Sequence, residues 1–455
     1  MPSLPGAQTP QRPETPAPRD PVPTFFRRNP EFTKLWSAQC ISQGGDWLNK
    51  VATLALINRH GGQSAAWIGV GLWFGIEQAL RMLPTTLLSP FAGPVADRVP
   101  RKLLLVCGDL LRAVLVLGYL TIDSADDLKW MPVLITTQVG LSIFFDAARQ
   151  ASLPNTVKAS DLHTAIALSS ATWSAMLSLG ALTGGLLVSS FGTDVAFAAD
   201  AGTYLASSLL YAWIRLPPTP IQDEAFRWRD FLGLRDMRRG FEHARERGIL
   251  VGISAKIFWG GAGGLLVLLA LAASTRYGAA GPQEALDGTG QTTFARNFGI
   301  LLASRGIGTA LGPFLARRFF GSQPLNLLKT IRLGFVVAPI CYLAFGFTDS
   351  LAVAACAVAL AHTGGGAIWV ASTSLWQQVV DDRFRGRIHA LDFFGMTLAF
   401  SSFSLLAGLL YDSGLSLPQL TSLFAGLILA MGALWWWLAG PMRKRFQPPP
   451  TPPVP

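Results

Sequence analysis

Apolar residues in this chain gather into blocks of roughly 20, about the number a helix needs to cross a ~30 Å hydrocarbon layer. Twelve such blocks follow one another. They lie near 33–57, 66–92, 102–122, 131–150, 162–190 and 195–215, and after a polar stretch near 249–275, 294–318, 325–347, 350–378, 388–411 and 416–440. In lipid the backbone N–H and C=O groups must be satisfied within each segment, so the blocks predict helices. The two-residue alternation of a membrane barrel strand is absent. Blocks longer than a bilayer is thick must tilt or protrude. The pattern predicts an all-α integral membrane protein with 12 transmembrane helices.

Composition agrees: of 455 residues 50% are hydrophobic and only 14% charged, against about 25% in soluble domains. The net charge of +10 would suit nucleic acid, but alternate loops hold nearly all of the loop positives, with few (Arg59, Lys129 and Arg276) in the others. Arg27, Arg28, Arg98, Arg101, Lys102, Arg149, Lys158, Arg317, Arg318, Arg383, Arg385, Arg387, Arg443, Lys444 and Arg445 fall in one set of loops. The other set holds Asp123, Asp126, Asp127, Asp194, Glu284, Asp287, Asp349 and Asp412. This positive-inside distribution predicts cytoplasmic termini and no nucleic-acid partner. Residues 1–24 contain eight prolines and no apolar segment, which predicts a disordered tail and no cleavable signal peptide. Cys40, Cys107, Cys341 and Cys356 stand singly within apolar blocks, with neither metal-ligand nor redox-pair spacing.

Residues 216–248 break the apolar rhythm. Leu234, Met237, Phe241 and Ala244 recur there at helical spacing among arginines and acids, predicting an amphipathic surface helix at 230–247. Six blocks precede this segment and six follow. The predicted organisation is a Pro-rich tail at 1–30, a six-helix bundle at 31–215, a linker at 216–248, a second six-helix bundle at 249–440, and a basic, then Pro-rich tail at 441–455. A faint repeat supports it: Gly93-Pro-Val-Ala-Asp97-Arg98 after the second block is matched by Gly312-Pro-Phe-Leu-Ala-Arg317-Arg318 after the eighth, and Gly185-Leu-Leu by Gly408-Leu-Leu. Duplicated halves are a transporter design.

With these residues in view, the chain resembles the major facilitator superfamily over nearly all its length. Gly93 through Lys102 looks like that superfamily's signature between its second and third helices, with Pro100 where glycine is usual. Ser42-Gln-Gly-Gly-Asp46-Trp47, Arg81-Met-Leu-Pro84, Asp109-Leu-Leu-Arg112, Asp146-Ala-Ala-Arg149, Asp200 with Tyr204, and Arg385-Gly-Arg387 are similar to its enterobactin-exporter-like (transmembrane secretion effector) branch. The resemblance implies a major facilitator fold of two pseudo-symmetric six-helix bundles in the inner (plasma) membrane. It also implies an inner gate held by Gly93, Asp97, Arg98, Arg101 and Lys102, for which Arg149 is a candidate partner. Gly180-Ala-Leu-Thr-Gly184-Gly185 resembles the exporters' antiporter motif, with Ala181 in place of its proline.

Charges inside a span cost about 2.5–3.5 kcal/mol each on insertion scales and need a reason. Asp46 and Lys50, Glu77 and Arg81, and Asp109 and Arg112 stand three or four apart, so each pair shares a helix face. At ~1.5 Å per residue Asp46 lies about 20 Å deep and Glu77 about 16 Å. Both are candidates for proton coupling or cargo binding, with Lys50 and Arg81 as partners; static ion pairing is the alternative. Asp109 and Arg112 suit a structural or gating pair. Lys256, Arg296, Arg305, His362 and Asp392 read as lone polar residues. Lys256 and Arg305 are candidates to meet an anionic cargo, the alternatives being snorkelling or cross-helix pairing.

The function expected is secondary active transport by alternating access, with proton-coupled export of a small amphipathic molecule. A lysophospholipid transporter between leaflets, or an importer of the same fold, is the alternative. An enzyme is disfavoured: there is no Gly-Lys dipeptide for a phosphate loop, no His-x-x-Glu-His, and Asp381-Asp382 lacks a third aspartate. The expected partners are the cargo and membrane lipids, the energy source is a proton gradient without cofactor or metal, and one duplicated chain encloses its own pathway as a monomer.

Overall fold

The computed structural model describes residues 22–62, 68–218, 241–242, 244–245, 250–278, 289–380 and 382–446. Apart from four residues, the amphipathic helix expected at 230–247 lies outside these, as do most of the N-terminal tail and residues 447–455. Among the described residues there are helices and no strands.

A short helix α1 (Val22–Arg28) leads into α2 (Pro30–His60), α3 (Val70–Ala96), α4 (Arg101–Leu117), α5 (Met131–Ser152) and α6 (Leu162–Ala212). The single-turn helices α7 (Leu250–Ile253) and α8 (Ala255–Phe258) precede α9 (Ala262–Thr275). Then come α10 (Thr289–Phe320), α11 (Pro324–Phe347), α12 (Leu351–Val379), α13 (Asp382–Asp412), α14 (Leu417–Leu438) and α15 (Gly440–Phe446). The starts are chemically marked: α2 and α11 begin on proline, whose missing N–H is not needed there. Ser416 and Gln419 form a capping box on α14.

Nine stretches among the described residues are long and apolar enough to span a membrane. One of them, 159–212, contains α6, which breaks at Gly192 (φ 85°, ψ 175°), where only glycine enters at little cost. The break falls between the fifth and sixth apolar blocks. Helices α2 and α3 are not among the nine, and they carry the buried charges Lys50 and Glu77. Helix α3 also holds Pro84, Pro90 and Pro94 internally, each removing a backbone hydrogen bond.

Sidedness is the reverse of a soluble helix. In α4, Asp109 and Arg112 are buried while Leu103, Leu110, Leu111 and Val114 are exposed. The same holds in α13, where Asp392 is buried and Leu398 exposed. Apolar side chains facing outward are stable only against lipid, so the polar residues form the interior.

Helices from the first and second halves of the chain meet through glycines. A Cβ on Gly408 of α13 would fall 2.3 Å from the Gly71 carbonyl oxygen of α3, and one on Gly75 would fall 2.6 Å from that of Ser404. Gly185 of α6 sits against Ala295 and Gly299 of α10 in the same way. Gly180 and Gly184, from the motif lacking its proline, press on Gly44 and Leu48 of α2. Small residues let backbones approach closely where lipid supplies no hydrophobic drive.

At the basic-loop end, Phe25, Phe32, Leu35, Ala96, Leu105, Phe145 and Ile214 form a separate apolar cluster. A polar clasp lies nearby: Asp161 accepts from Asn29 Nδ2 at 2.8 Å and from Arg28 at 3.0 and 2.6 Å. The bonds from Asn29 and then Arg28 hold the Asp161 carboxyl below its ordinary range. A depressed carboxyl stabilises above its unfolded value, and that contribution is lost as pH falls through the folded one. Asp161→Asn is therefore expected to flatten the acid side of a thermal-stability profile below about pH 4. An unchanged acid limb in detergent-solubilised protein would show that the clasp adds nothing.

Candidate functional site

Lys50 reaches from α2 to α3, placing Nζ 2.9 Å from Glu77 Oε2 and 3.0 Å from Gln78 Oε1. Arg81, one turn along α3, bonds the same carboxylate and donates to Asn49 Oδ1 at 3.3 Å. Glu77 is 1% exposed and Lys50 6%. One buried carboxylate thus holds two cations. The equal spacing of Asp46 and Lys50 does not make them a pair: the long lysine stem points to α3, while Asp46 turns the other way.

Asp46 accepts from Tyr204 Oη at 2.5 Å and lies 3.9 Å from Arg112 Nη1. Arg112 in turn bonds Asp109, which also accepts from Ser207. Gln138 donates to Tyr204 Oη at 3.0 Å, and Tyr119 donates to Gln138 at 3.3 Å. The Arg112 guanidinium lies 4.1 Å from the Phe145 ring centre and 4.6 Å from that of Tyr204. Asp109 and Arg112 therefore belong to the same polar centre as Asp46. Asp200 is fully buried behind Gly45, with Thr203 on one oxygen and no partner on the other. Asn49, Gln78, Gln138, Tyr119 and Ser207 were not singled out from sequence. Their signal is faint but present: Asp200, Tyr204 and Ser207 recur at spacings of four and three on one face of an apolar helix.

In the second half the residues read as lone are mostly paired. Lys256 Nζ lies 2.5 Å from Asp392 and 5.0 Å from the Trp369 ring centre. His362 Nε2 meets Tyr342 Oη at 2.8 Å, and Arg296 donates to Asn297 at 3.3 Å. Arg305 differs: no ion pair to it occurs among the described residues, its Nε is buried without a hydrogen-bond partner, and its guanidinium lies over Trp47 at 5.8 Å.

A cavity of about 10 Å³ lies between the halves, lined by Lys50, Glu77, Gln78 and Phe74 from one side and Phe298, Leu302 and Arg305 from the other. A larger one, about 700 Å³, sits at the basic-loop end between α3, α5 and α13, lined by Gly93, Asp146, Arg387 and His389 among others. At the opposite end the halves are joined: Asp412 accepts from the Gly71 and Leu72 amides at 3.0 and 2.8 Å, and Ser274 donates to Asn58 at 2.5 Å.

The loop after α3 is disposed accordingly. Asp97 lies 3.6 Å from Arg101, which donates to the Ala151 carbonyl at 2.8 Å. Arg98 donates to the Pro94 carbonyl at 3.2 Å, and Lys102 is exposed. A Cβ on Gly93 would meet nothing within 4 Å. Arg149, expected as partner to Asp97, instead pairs with Asp146 at 3.0 Å and bonds Ser169 at 3.1 Å. The shared helical turn of Asp146 and Arg149 explains the preference.

The family model of the Major Facilitator Superfamily matches residues 35–401. An uncharacterized MFS-type transporter, YfiS of Bacillus subtilis (strain 168), is 26% identical over 192 residues, 41% of this chain and 42% of its own. BacE of Bacillus amyloliquefaciens, a proposed bacilysin exporter, is 26% identical over 198 residues, 44% of this chain and 48% of its own. The chain thus spans under half the length of these curated relatives. Among solved structures, a bacterial homologue of the lysosomal transporter Spinster, inward-facing and occupied, gives a TM-score of 0.65 at 14% identity, covering 92% of this chain and 98% of its own. The POT family transporter PepTSo gives 0.68 at 11% identity, covering 92% and 99%. With its all-helical membrane fold and polar interior, this chain belongs to the Major Facilitator Superfamily.

Proposed function

We propose that this transporter is a proton-coupled exporter of a small amphipathic molecule, working by alternating access in the inner membrane. In this reading twelve spans form two six-helix halves, both termini are cytoplasmic, and the 700 Å³ cavity faces the cytoplasm. The observation that carries it is Glu77, a fully buried carboxylate shared by Lys50 and Arg81 beside a cavity between the halves. If α2 moves away from α3, Glu77 loses Lys50 and keeps only Arg81 of its own helix, and burial then weighs more heavily towards its protonated form. Protonation would thereby follow which side is open. Support for outward direction comes from the partial similarity to a proposed exporter.

The test is flux in liposomes. Purified full-length protein reconstituted with an amphipathic fluorescent dye should drive dye movement against its gradient when a pH difference is imposed, and a protonophore should stop it. Dye movement indifferent to both manipulations would refute proton coupling.

A further inference from the structure

Arg305 is the charge that the transporter's interior leaves unbalanced. Three cations, Lys50, Arg81 and Arg305, converge near the contact between halves, and Glu77 is the one carboxylate ion-paired there among the described residues. Lys50 and Arg305 line the same cavity, one from each half. The second-half cation Lys256 is neutralised by Asp392, so it contributes no excess. A guanidinium within a span is costly unless paired. Here it has an indole at 5.8 Å and a buried Nε with no acceptor. The polar groups on this pocket are few, and its remaining lining, Leu54, Phe74, Leu266, Phe298 and Leu302, is apolar.

We infer that the cargo carries an anionic group, a carboxylate or a phosphate, which docks on Arg305 with Lys50 facing it from the other half, while its apolar body lies along Phe74, Phe298 and Trp47. Guanidinium forks match such planar or tetrahedral anions with two parallel hydrogen bonds. A cavity of about 10 Å³ holds no more than a water, so the anion enters when the halves part. The inference rests on the transport reading for its site but not on proton coupling or direction.

The experiment measures binding, not flux. Full-length protein in detergent is titrated with three probes sharing one dansyl body: dansylglycine, its neutral amide, and a dansyl amine that is cationic at pH 7. The carboxylate probe should bind at least about tenfold tighter than the neutral one, the margin expected for a charge-assisted hydrogen bond. Arg305→Gln should erase that margin by weakening the carboxylate probe more than the neutral one, and Arg305→Lys should keep part of it. A phosphate-monoester analogue of the same body separates the two anion classes, and a preference of either anion over the neutral probe supports the inference. If neither anion is bound better than the neutral probe by the wild-type protein, absence of any binding included, the inference falls, whatever the variants do. Charge preference without pH-driven flux would sink proton coupling and leave this assignment standing; pH-driven flux without charge preference would do the opposite.

Discussion

Glu77→Gln is expected to abolish pH-driven flux and to lower stability by about 3–5 kcal/mol, because removing one member of a buried ion group leaves the rest uncompensated. Lys50 and Arg81 would face an amide where both now face a carboxylate. Loss of activity alone would not distinguish a proton carrier from a packing element. The double variant Lys50→Gln with Glu77→Gln does so, since it removes one buried cation along with the anion and should recover much of the thermal midpoint. If Glu77 carries the proton, flux stays absent in that stable double variant. Recovery of pH-driven flux together with stability would mean that the trio only holds α2 to α3.

Gly408→Ala is expected to shift the transporter toward the state open at the acidic-loop end. The new Cβ would lie 2.3 Å from the Gly71 carbonyl oxygen and 2.7 Å from Leu72 Cα, both backbone atoms that cannot rotate away. Overpacking of this kind costs about 1–3 kcal/mol. Because only the sealed state bears that cost, the ratio of the two states should move by roughly 5–150-fold. Labelling of a cysteine placed at Asn58, whose side chain meets Ser274 in the seal, reads the change directly. Gly426→Ala is the control, since a Cβ there meets nothing within 4 Å. Equal labelling of the two variants would show that the seal does not depend on this contact.

The helical membrane fold was legible in sequence because hydropathy and loop charge are properties of single segments. The bend at Gly192 falls between two blocks for the same reason: Ser189, Ser190, Thr193 and Asp194 interrupt the apolar run around the glycine. Charge pairing was less accessible. Spacing along one helix correctly joined Glu77 to Arg81 and Asp109 to Arg112, yet it suggested Asp46 with Lys50, where the structure sends each to a different neighbour. Likewise Lys256 and Asp392 lie 136 positions apart and meet only through tertiary packing. Helix rotation about its own axis decides such partners, and one sequence does not encode it in any local pattern. The uncharged polar network of Gln138, Tyr119 and Ser207 was missed because hydroxyls and amides are common in spans without consequence.

The break at Gly192 has a bearing on topology mapping. With a single positive-φ residue turning one long helix into the next, the corner has no loop of its own, only the short run from Ser189 to Asp194 around an exposed Phe191. A tag or protease site inserted there would have no slack between the two helices, so it would unseat both rather than report which compartment they face. Markers belong instead near Ser124 or Ser350, where the backbone already leaves the helix and polar side chains line the turn.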